Sequence, residues 1–502
     1  MLDAQLDLLL PTPDATLGHD AEHKATDSLG GRARQSALGQ FMTPKPLAAF
    51  AASLFPGGDL GEISLLDAGA GEGTLATAFL DRVARGDLRA AVVSVRAVES
   101  DPAVLPALRD ALARHPLPGL RVEVVEGDFL AIARPRVAGD GGHTHALLNP
   151  PYKKIGSRSA ARARLSAAGV EASNLYTGFL ALALLSLRRG GHLCAIVPRS
   201  FCNGPYHRAF RRLLLRHGAL RRAHVFRSRT SAFAGDGVLQ ETVVVLVERG
   251  GQAAEVEVSA STDVSLADLS TARLPPCSVV RPGDPDAVIH LPDPGAGAEG
   301  IPAAFRATLA DLGLGVSTGP VVDFRLREHL RPMPGPGDAP LIYPAHLDGG
   351  RALRWPLPGG RKPNAIRRCP ETERWLFPHG TYAVVRRVSA KEERRRVVAC
   401  AVPASALPSG PVGFENHLNV VHRRRGGLPD DLCAGLVAYL NSTMVDAHFR
   451  TFSGHTQVNA RDLRSIPCPP ADALAALGRR LGATPAPNQG ALDEAVRALA
   501  TA

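Results

Sequence analysis

Three glycines at alternate positions, in the run Leu65-Leu66-Asp67-Ala68-Gly69-Ala70-Gly71-Glu72-Gly73, close one apolar segment and open a helical one. A strand that turns sharply into a helix while leaving its backbone open to a ligand needs glycine there. No Cβ blocks the approach, and positive φ carries little cost. From Gly39 to about Gly250, short apolar runs ending in Gly, Asn or Asp alternate with Ala/Leu/Arg stretches of helical spacing. That alternation predicts a parallel sheet flanked by helices. Strands are expected at 64–68, 92–98, 121–125, 145–148, 192–197 and 242–247. Each is almost continuously apolar, as a strand buried on both faces must be.

Ligands of open α/β sheets bind at the carboxyl ends of the strands near the point where strand order reverses. The first three predicted strands end in groups suited to an adenosine. Asp67, Gly69, Gly71 and Gly73 form the loop after the first strand. Glu99 closes the second, where a carboxylate can accept the hydroxyl protons of a ribose. Asp128 and Phe129 follow the third, offering an acceptor for an amino group and a ring beside it. Taken singly, each carboxylate reads more readily as a helix N-cap; taken together they describe a nucleoside pocket.

The fourth strand runs into Asn149-Pro150-Pro151-Tyr152. Two prolines fix φ twice, so the Asn149 amide oxygen and the Pro150 carbonyl can be held as acceptors for the two hydrogens of an amino group. Such bonding frees the nitrogen lone pair to attack a sulfonium methyl, while Tyr152 supplies a face for a planar substrate. A base in a duplex reaches such a site only after flipping out, at a cost of a few kcal/mol. Phe233 is a candidate second ring, although a Phe beside a strand also reads as core.

These motifs, in this order, resemble the gamma class of amino-methyltransferases that modify adenine in DNA within type II restriction-modification systems. The resemblance implies a Rossmann-like α/β domain that uses S-adenosylmethionine as methyl donor and no metal. It implies a second, mixed α+β target-recognition domain and double-stranded DNA as partner. The segment Gly39 to Pro44 matches the family's methionine-contacting stretch, with Thr43 and Pro44 at the cofactor. Glu99 maps to the ribose contact, Asp128 and Phe129 to the adenine contacts, Asn149 to Tyr152 to the catalytic tetrapeptide, and Phe233 to the second base-clamping aromatic. The second half is similar to target-recognition portions at 414–419, 440–443 and 452–459, where the polar clusters read either as DNA contacts or as helix caps and turn closures. The basic run at 391–396 reads either as a solvated face or as a phosphate grip. About 38 residues precede the first motif, too few for a nuclease domain, so modification without cleavage is expected, with any endonuclease a separate protein acting on the same site.

At 502 residues several domains are expected: a loose arm at 1–38, the methyltransferase domain at 39–250, a Pro/Gly-rich boundary at 251–300 and the recognition domain at 301–502. With 45% hydrophobic residues the chain is not of the disordered class. The net charge of +10 has the sign of a phosphate partner. Seven cysteines without a CxxC pair argue against a disulfide framework or structural zinc. The lack of a basic leader or a membrane-length apolar run implies a cytoplasmic protein without a membrane partner. Three alternatives stand beside this reading: an enzyme of the same tetrapeptide acting on ribosomal RNA or a release-factor glutamine, one acting on N4 of cytosine, and a catalytically inactive specificity subunit.

Overall fold

The computed structural model describes residues 42–133, 142–228, 241–297, 300–302, 304–348, 352–390, 392–454, 456–482 and 488–500. They fall into two compact units. The first comprises the chain up to Pro198, Ala209–Val256 and Ser261–Leu269; the second comprises Arg199–Arg208, Glu257–Ala260 and everything from Ser270.

In the first unit, helix α1 (Lys45–Ser53) precedes strand β1 (Glu62–Ala68) and helix α2 (Thr74–Ala84). Strand β2 (Val92–Glu99), helix α3 (Leu105–Ala113), strand β3 (Arg121–Glu126), the single turn α4 (Phe129–Ile132) and strand β4 (His143–Leu148) follow. Helices α5 (Ala160–Ala167) and α6 (Leu175–Ser186) lead to strands β5 (Leu187–Pro198), β6 (Gly218–Phe226) and β7 (Thr242–Arg249). These seven strands lie side by side in the order β3-β2-β1-β4-β5-β7-β6. The first five pair in parallel, and β7 runs antiparallel to both β5 and β6. Strand order therefore reverses between β1 and β4, which puts the ends of β1, β2 and β4 beside one crevice.

All six strands expected from the sequence are present. Strand β6 was not expected, because Arg221 and Arg222 interrupt its apolar pattern. A register shift between Leu220 and Arg222 absorbs them, and Arg221 pairs with Glu248 at 2.6 Å. Helix α6 is apolar on every side, and ten consecutive residues, Tyr176 to Leu185, are buried. It forms part of the wall of the crevice.

The second unit holds two four-stranded sheets. Its strands are β8 (Gly315–Thr318), β9 (Leu330–Arg331), β10 (Asp338–Ile342), β11 (Ala365–Arg367), β12 (Tyr382–Arg386), β13 (Ala399–Val402), β14 (Gly413–Phe414) and β15 (Leu418–His422). One sheet has the order β8-β15-β12-β13 and the other β9-β11-β10-β14. The sequence pattern from Leu428 to about Arg450 predicts one helix; the structure has two, α7 (Asp430–Leu440) and α8 (Thr443–Arg450). Asn441 ends the first by bonding both Ala399 backbone groups, and Ser442 caps the second through Val445 N at 3.3 Å. The segment 251–300, expected as a boundary, contains strands Val256–Ser261 and Ser270–Leu274 and buries Val258, Ala260, Ile289 and Leu291. No helix among the described residues is long and apolar enough to cross a membrane.

Helix α9 (Ala471–Gly482) crosses α7 with backbones nearly touching: a Cβ on Gly435 would stand 1.7 Å from the Leu474 carbonyl, and one on Gly478 would stand 1.9 Å from that of Asp431. Neither backbone can yield without separating the helices. Gly435→Ala is therefore expected to destabilise the second unit by about 2–4 kcal/mol despite alanine's better helix propensity. Thermal unfolding checks this; a neutral or higher Tm would refute the close crossing.

Candidate active site

The loop after β1 is held by β2. The amides of Gly69 and Ala70 both donate to the Val98 carbonyl, at 2.8 and 3.1 Å, and Gly73 N reaches Ala70 O at 2.9 Å. Gly69, Gly71 and Gly73 have φ of 78°, 53° and 84°, the left-handed region in which glycine is the unstrained choice. The amide of Gly71 donates to Glu99 Oε2 at 2.8 Å, while Glu99 Oε1 accepts from the amides of Ser100 and Asp101 at 2.7 and 2.8 Å. Glu99, only 2% exposed, thus spends three of roughly four lone-pair sites on backbone and keeps one on Oε2.

Asp67 is fully buried, and neither carboxylate oxygen has a hydrogen-bond partner among the described residues. Burial pushes its carboxyl up to about 7; the Ala76 amide opposes this as a dipole rather than a full hydrogen bond, and Glu99 adds repulsion. A buried, unpaired acid at the end of β1 is costly in the free protein and suits a cationic ligand group.

At the end of β4, Asn149 Nδ2 donates to Thr43 Oγ1 at 3.0 Å, and the Tyr152 hydroxyl lies 3.0 Å from Asn149 Oδ1 and 3.2 Å from the Ile196 carbonyl. The amide is thereby oriented, its nitrogen toward Thr43 and its oxygen toward Tyr152. Burial, with Tyr176 nearby, holds the Tyr152 phenol well above its ordinary range, so it stays protonated and donates. The Tyr152 and Tyr176 rings meet edge to face at 6.0 Å, and Pro150 is buried between strand and loop.

The structure links most of the residues singled out from sequence. Met42 reaches Gly71, its sulfur 3.9 Å from where a Cβ would stand, and neighbouring Thr43 holds Asn149. Pro44 is the N-cap of α1, with no side-chain hydrogen bond. Phe129 packs on Phe179 with centroids 5.2 Å apart, and Phe179 in turn touches Gly69. Asp128 is placed differently: Oδ1 caps α4 through Leu130 N at 2.9 Å, and Oδ2 takes Arg164 at 2.6 Å. Phe233 lies outside the described residues. Sequence reading missed Phe179, because an all-apolar helix shows no face, and Arg164, which sits on an exposed turn of α5.

In the second unit the polar clusters are drawn inward only in part: Glu415, Asn419, Ser442 and Ser453 are buried, while His417, Thr443, Thr456 and Gln457 stay exposed. Glu415 is fully buried and binds His417 at 2.6 Å, Asn419 donates to Val458 O at 2.7 Å, and Asn459 closes a capping box with Asp462. Two arginines of the basic run are folded in as well, while Arg394 is exposed. Arg395 bonds the Asn441 carbonyl, and buried Arg396 reaches Ser389 at 3.0 Å. Among the described residues no group of three or more His, Cys, Asp or Glu could hold a metal ion.

A glycine-cradled crevice at the reversal point of a 3-2-1-4-5-7-6 sheet, beside an Asn-Pro-Pro-Tyr turn, is the architecture of a methyltransferase. The model of the Eco57I restriction-modification methylase family matches residues 132–233, which span β4, the tetrapeptide, β5 and β6. The chain is 42% identical over 456 residues to the type II methyltransferase M.BsuBI of Bacillus subtilis, covering 89% of this chain and 90% of the relative. It is 37% identical to the type II methyltransferase M.PstI of Providencia stuartii, covering 91% of each. It is also similar in fold to the type IIL restriction-modification enzyme MmeI, solved in complex with DNA (TM-score 0.52, 12% identity, 96% of this chain and 75% of that one). The chain belongs to the type II methyltransferases of restriction-modification systems. Its function is the methylation of DNA.

The state of Asp67 generates a stability prediction. Its folded pKa, about 7, lies above the unfolded value near 3.8, so the protonated form is favoured on folding. The stability it contributes is complete below pH 4 and is lost as pH rises through 7. Asp67→Asn is expected to remove this slope and to raise stability at pH 8 by on the order of 2–4 kcal/mol. Denaturant unfolding of the ligand-free protein across pH 4–8 measures it; an unchanged slope would sink the assignment.

Proposed function

We propose that this enzyme transfers the methyl group of S-adenosylmethionine to N6 of an adenine flipped out of double-stranded DNA. A separately encoded endonuclease acting on the same site would complete such a system, and a DNA substrate sets its work in the cytoplasm. The observation that carries the reading is the oriented amide of Asn149, held between Thr43 and Tyr152 at the carboxyl end of β4.

The crevice fits the cofactor. The left-handed glycines leave room for its methionine part, and the orphaned carboxylate of Asp67 suits a cationic amino group. The remaining lone pair of Glu99 can accept a ribose hydroxyl, and Phe129 with Phe179 lines a space for adenine. Asp128 spends two of roughly four lone-pair sites on Leu130 N and Arg164, and the partly exposed pair with Arg164 can open at little cost, so it can still accept from the adenine amino group. When bound, S-adenosylmethionine supplies an electrophilic sulfonium methyl.

The chain's own residues prepare the acceptor. The Asn149 oxygen and the Pro150 carbonyl are the acceptors suited to the two hydrogens of an exocyclic amino group. Accepting them draws the nitrogen from planarity and localises its lone pair. The Tyr152 ring is half-buried, its hydroxyl anchored, so one face can stack the flipped base for about 1–3 kcal/mol, which offsets part of the unstacking cost. Asn149 rather than serine at the head of the tetrapeptide favours adenine over cytosine.

Incubation with labelled S-adenosylmethionine and, separately, unmethylated genomic DNA, total RNA and release factor tests the reading by mass identification of the modified unit. N6-methyladenine in DNA is expected; label in RNA or protein, or on cytosine, would overturn it. Asn149→Ala is expected to bind cofactor within about threefold of wild type and to lose transfer by roughly 10²–10³-fold, the scale of removing one oriented polar group from a reaction centre.

A further inference from the structure

Buried polar members of the clusters at 414–419, 440–443 and 452–459, Glu415, Asn419, Ser442 and Ser453 among them, serve the fold, and charge points to another surface of the second unit for DNA. Residues 323–368 carry nine Lys or Arg against four Asp or Glu, half of the chain's net charge of +10 in under a tenth of its length. Within this stretch Phe324 is 52% exposed, an unusual position for a large ring. Arg325 lies over it, its guanidinium carbon 5.6 Å from the centroid. Arg327 and Arg361 are exposed, and their side chains make no hydrogen bond or ion pair among the described residues.

The scaffold beneath is rigid. Asn364, 1% exposed, donates to the carbonyls of Pro332 and Leu357 at 2.7 and 3.1 Å, and its own oxygen takes Leu357 N at 2.7 Å. It joins the loops flanking β9 and β11. Lys362 bonds Asp323 at 3.0 Å and sits 5.2 Å over the Tyr343 ring, which fastens the Phe324 turn to the 361–362 loop. The one fully exposed acid here, Glu328, lies 3.5 Å from His329 Nε2. An aromatic ring flanked by unpaired arginines on a braced edge suits a duplex: the arginines for phosphates, the ring for a base step or a thymine methyl.

We infer that the edge formed by Phe324, Arg325, Arg327 and Arg361 is the surface with which this enzyme contacts duplex DNA, Phe324 acting in sequence discrimination and Arg327 and Arg361 in phosphate binding. The inference rests on the DNA reading above. It assigns the role to a stretch other than the polar clusters.

The test uses the full-length protein, a fluorescent random-sequence duplex for binding, and sequencing of methylated positions on unmethylated genomic DNA. The double variant Arg327→Gln, Arg361→Gln is expected to weaken duplex binding about tenfold at physiological salt and to lower the slope of log K against log salt by about 2. The corresponding Lys variants restore the slope. Phe324→Ala is expected to leave the slope unchanged and to slow methylation at the native sites at least tenfold or spread it to near-matching ones. Unchanged thermal unfolding controls for folding. An unaltered slope in the double variant, or unaltered rate and sites in Phe324→Ala, overturns the inference while wild-type methylation of the same DNA leaves the function standing. Absence of any wild-type methylation of DNA overturns both.

Discussion

The bond from the Gly71 amide to the Glu99 carboxylate is the constraint on which the rest of the site depends. It joins the loop after β1 to the end of β2, and the same carboxylate gathers the amides of Ser100 and Asp101. A glycine loop without such a brace would sample many turns, because glycine confers freedom as readily as it permits the required φ. With the brace, the left-handed conformations at 69, 71 and 73 become a fixed cradle. Met42 then closes one wall and brings Thr43 to Asn149. The glycine loop and the Asn149 turn are thus mechanically one assembly.

That assembly tolerates a cost at Asp67. A buried carboxylate without a partner destabilises the free protein, a cost that protonation or a positively charged ligand would relieve. The same logic, reversed, governs the second unit. There Glu415, Asn419 and Arg396 are buried and Asn441 half-buried, all with partners supplied, and they hold strands and helix ends in register. Satisfied polar groups of this kind specify a fold; unsatisfied ones mark where something else must bind.

Much of the first unit was legible in the sequence because a parallel strand buried on both faces leaves a continuous apolar run. Glycines and the Asn149-Pro150-Pro151-Tyr152 turn punctuate those runs. Strand β6 escaped because two arginines broke its run and a bulge rescued them. The division of 428–450 into two helices escaped because Asn441 and Ser442 look permissible inside a helix until Ala399, distant in sequence, is seen to engage the first. Asp128 shows the limit of site reading: it was legible as an acceptor, but that Arg164 occupies it was not.

What the sequence by itself determined is the local chemistry: which turns need glycine, where prolines lock the chain, which strand ends carry acids. These follow from steric and hydrogen-bonding rules acting over a few residues. Only the tertiary structure decided which polar side chains remain available, because that depends on partners distant in sequence, 106 positions apart for Thr43 and Asn149, or on burial that no local pattern records. Arg395 and Arg396 are drawn onto the Asn441 carbonyl and the Ser389 hydroxyl, whereas Arg327 and Arg361 stay exposed without a hydrogen bond or ion pair among the described residues. The difference lies in the carbonyls and hydroxyls that folding brings within reach of one pair of arginines and not of the other.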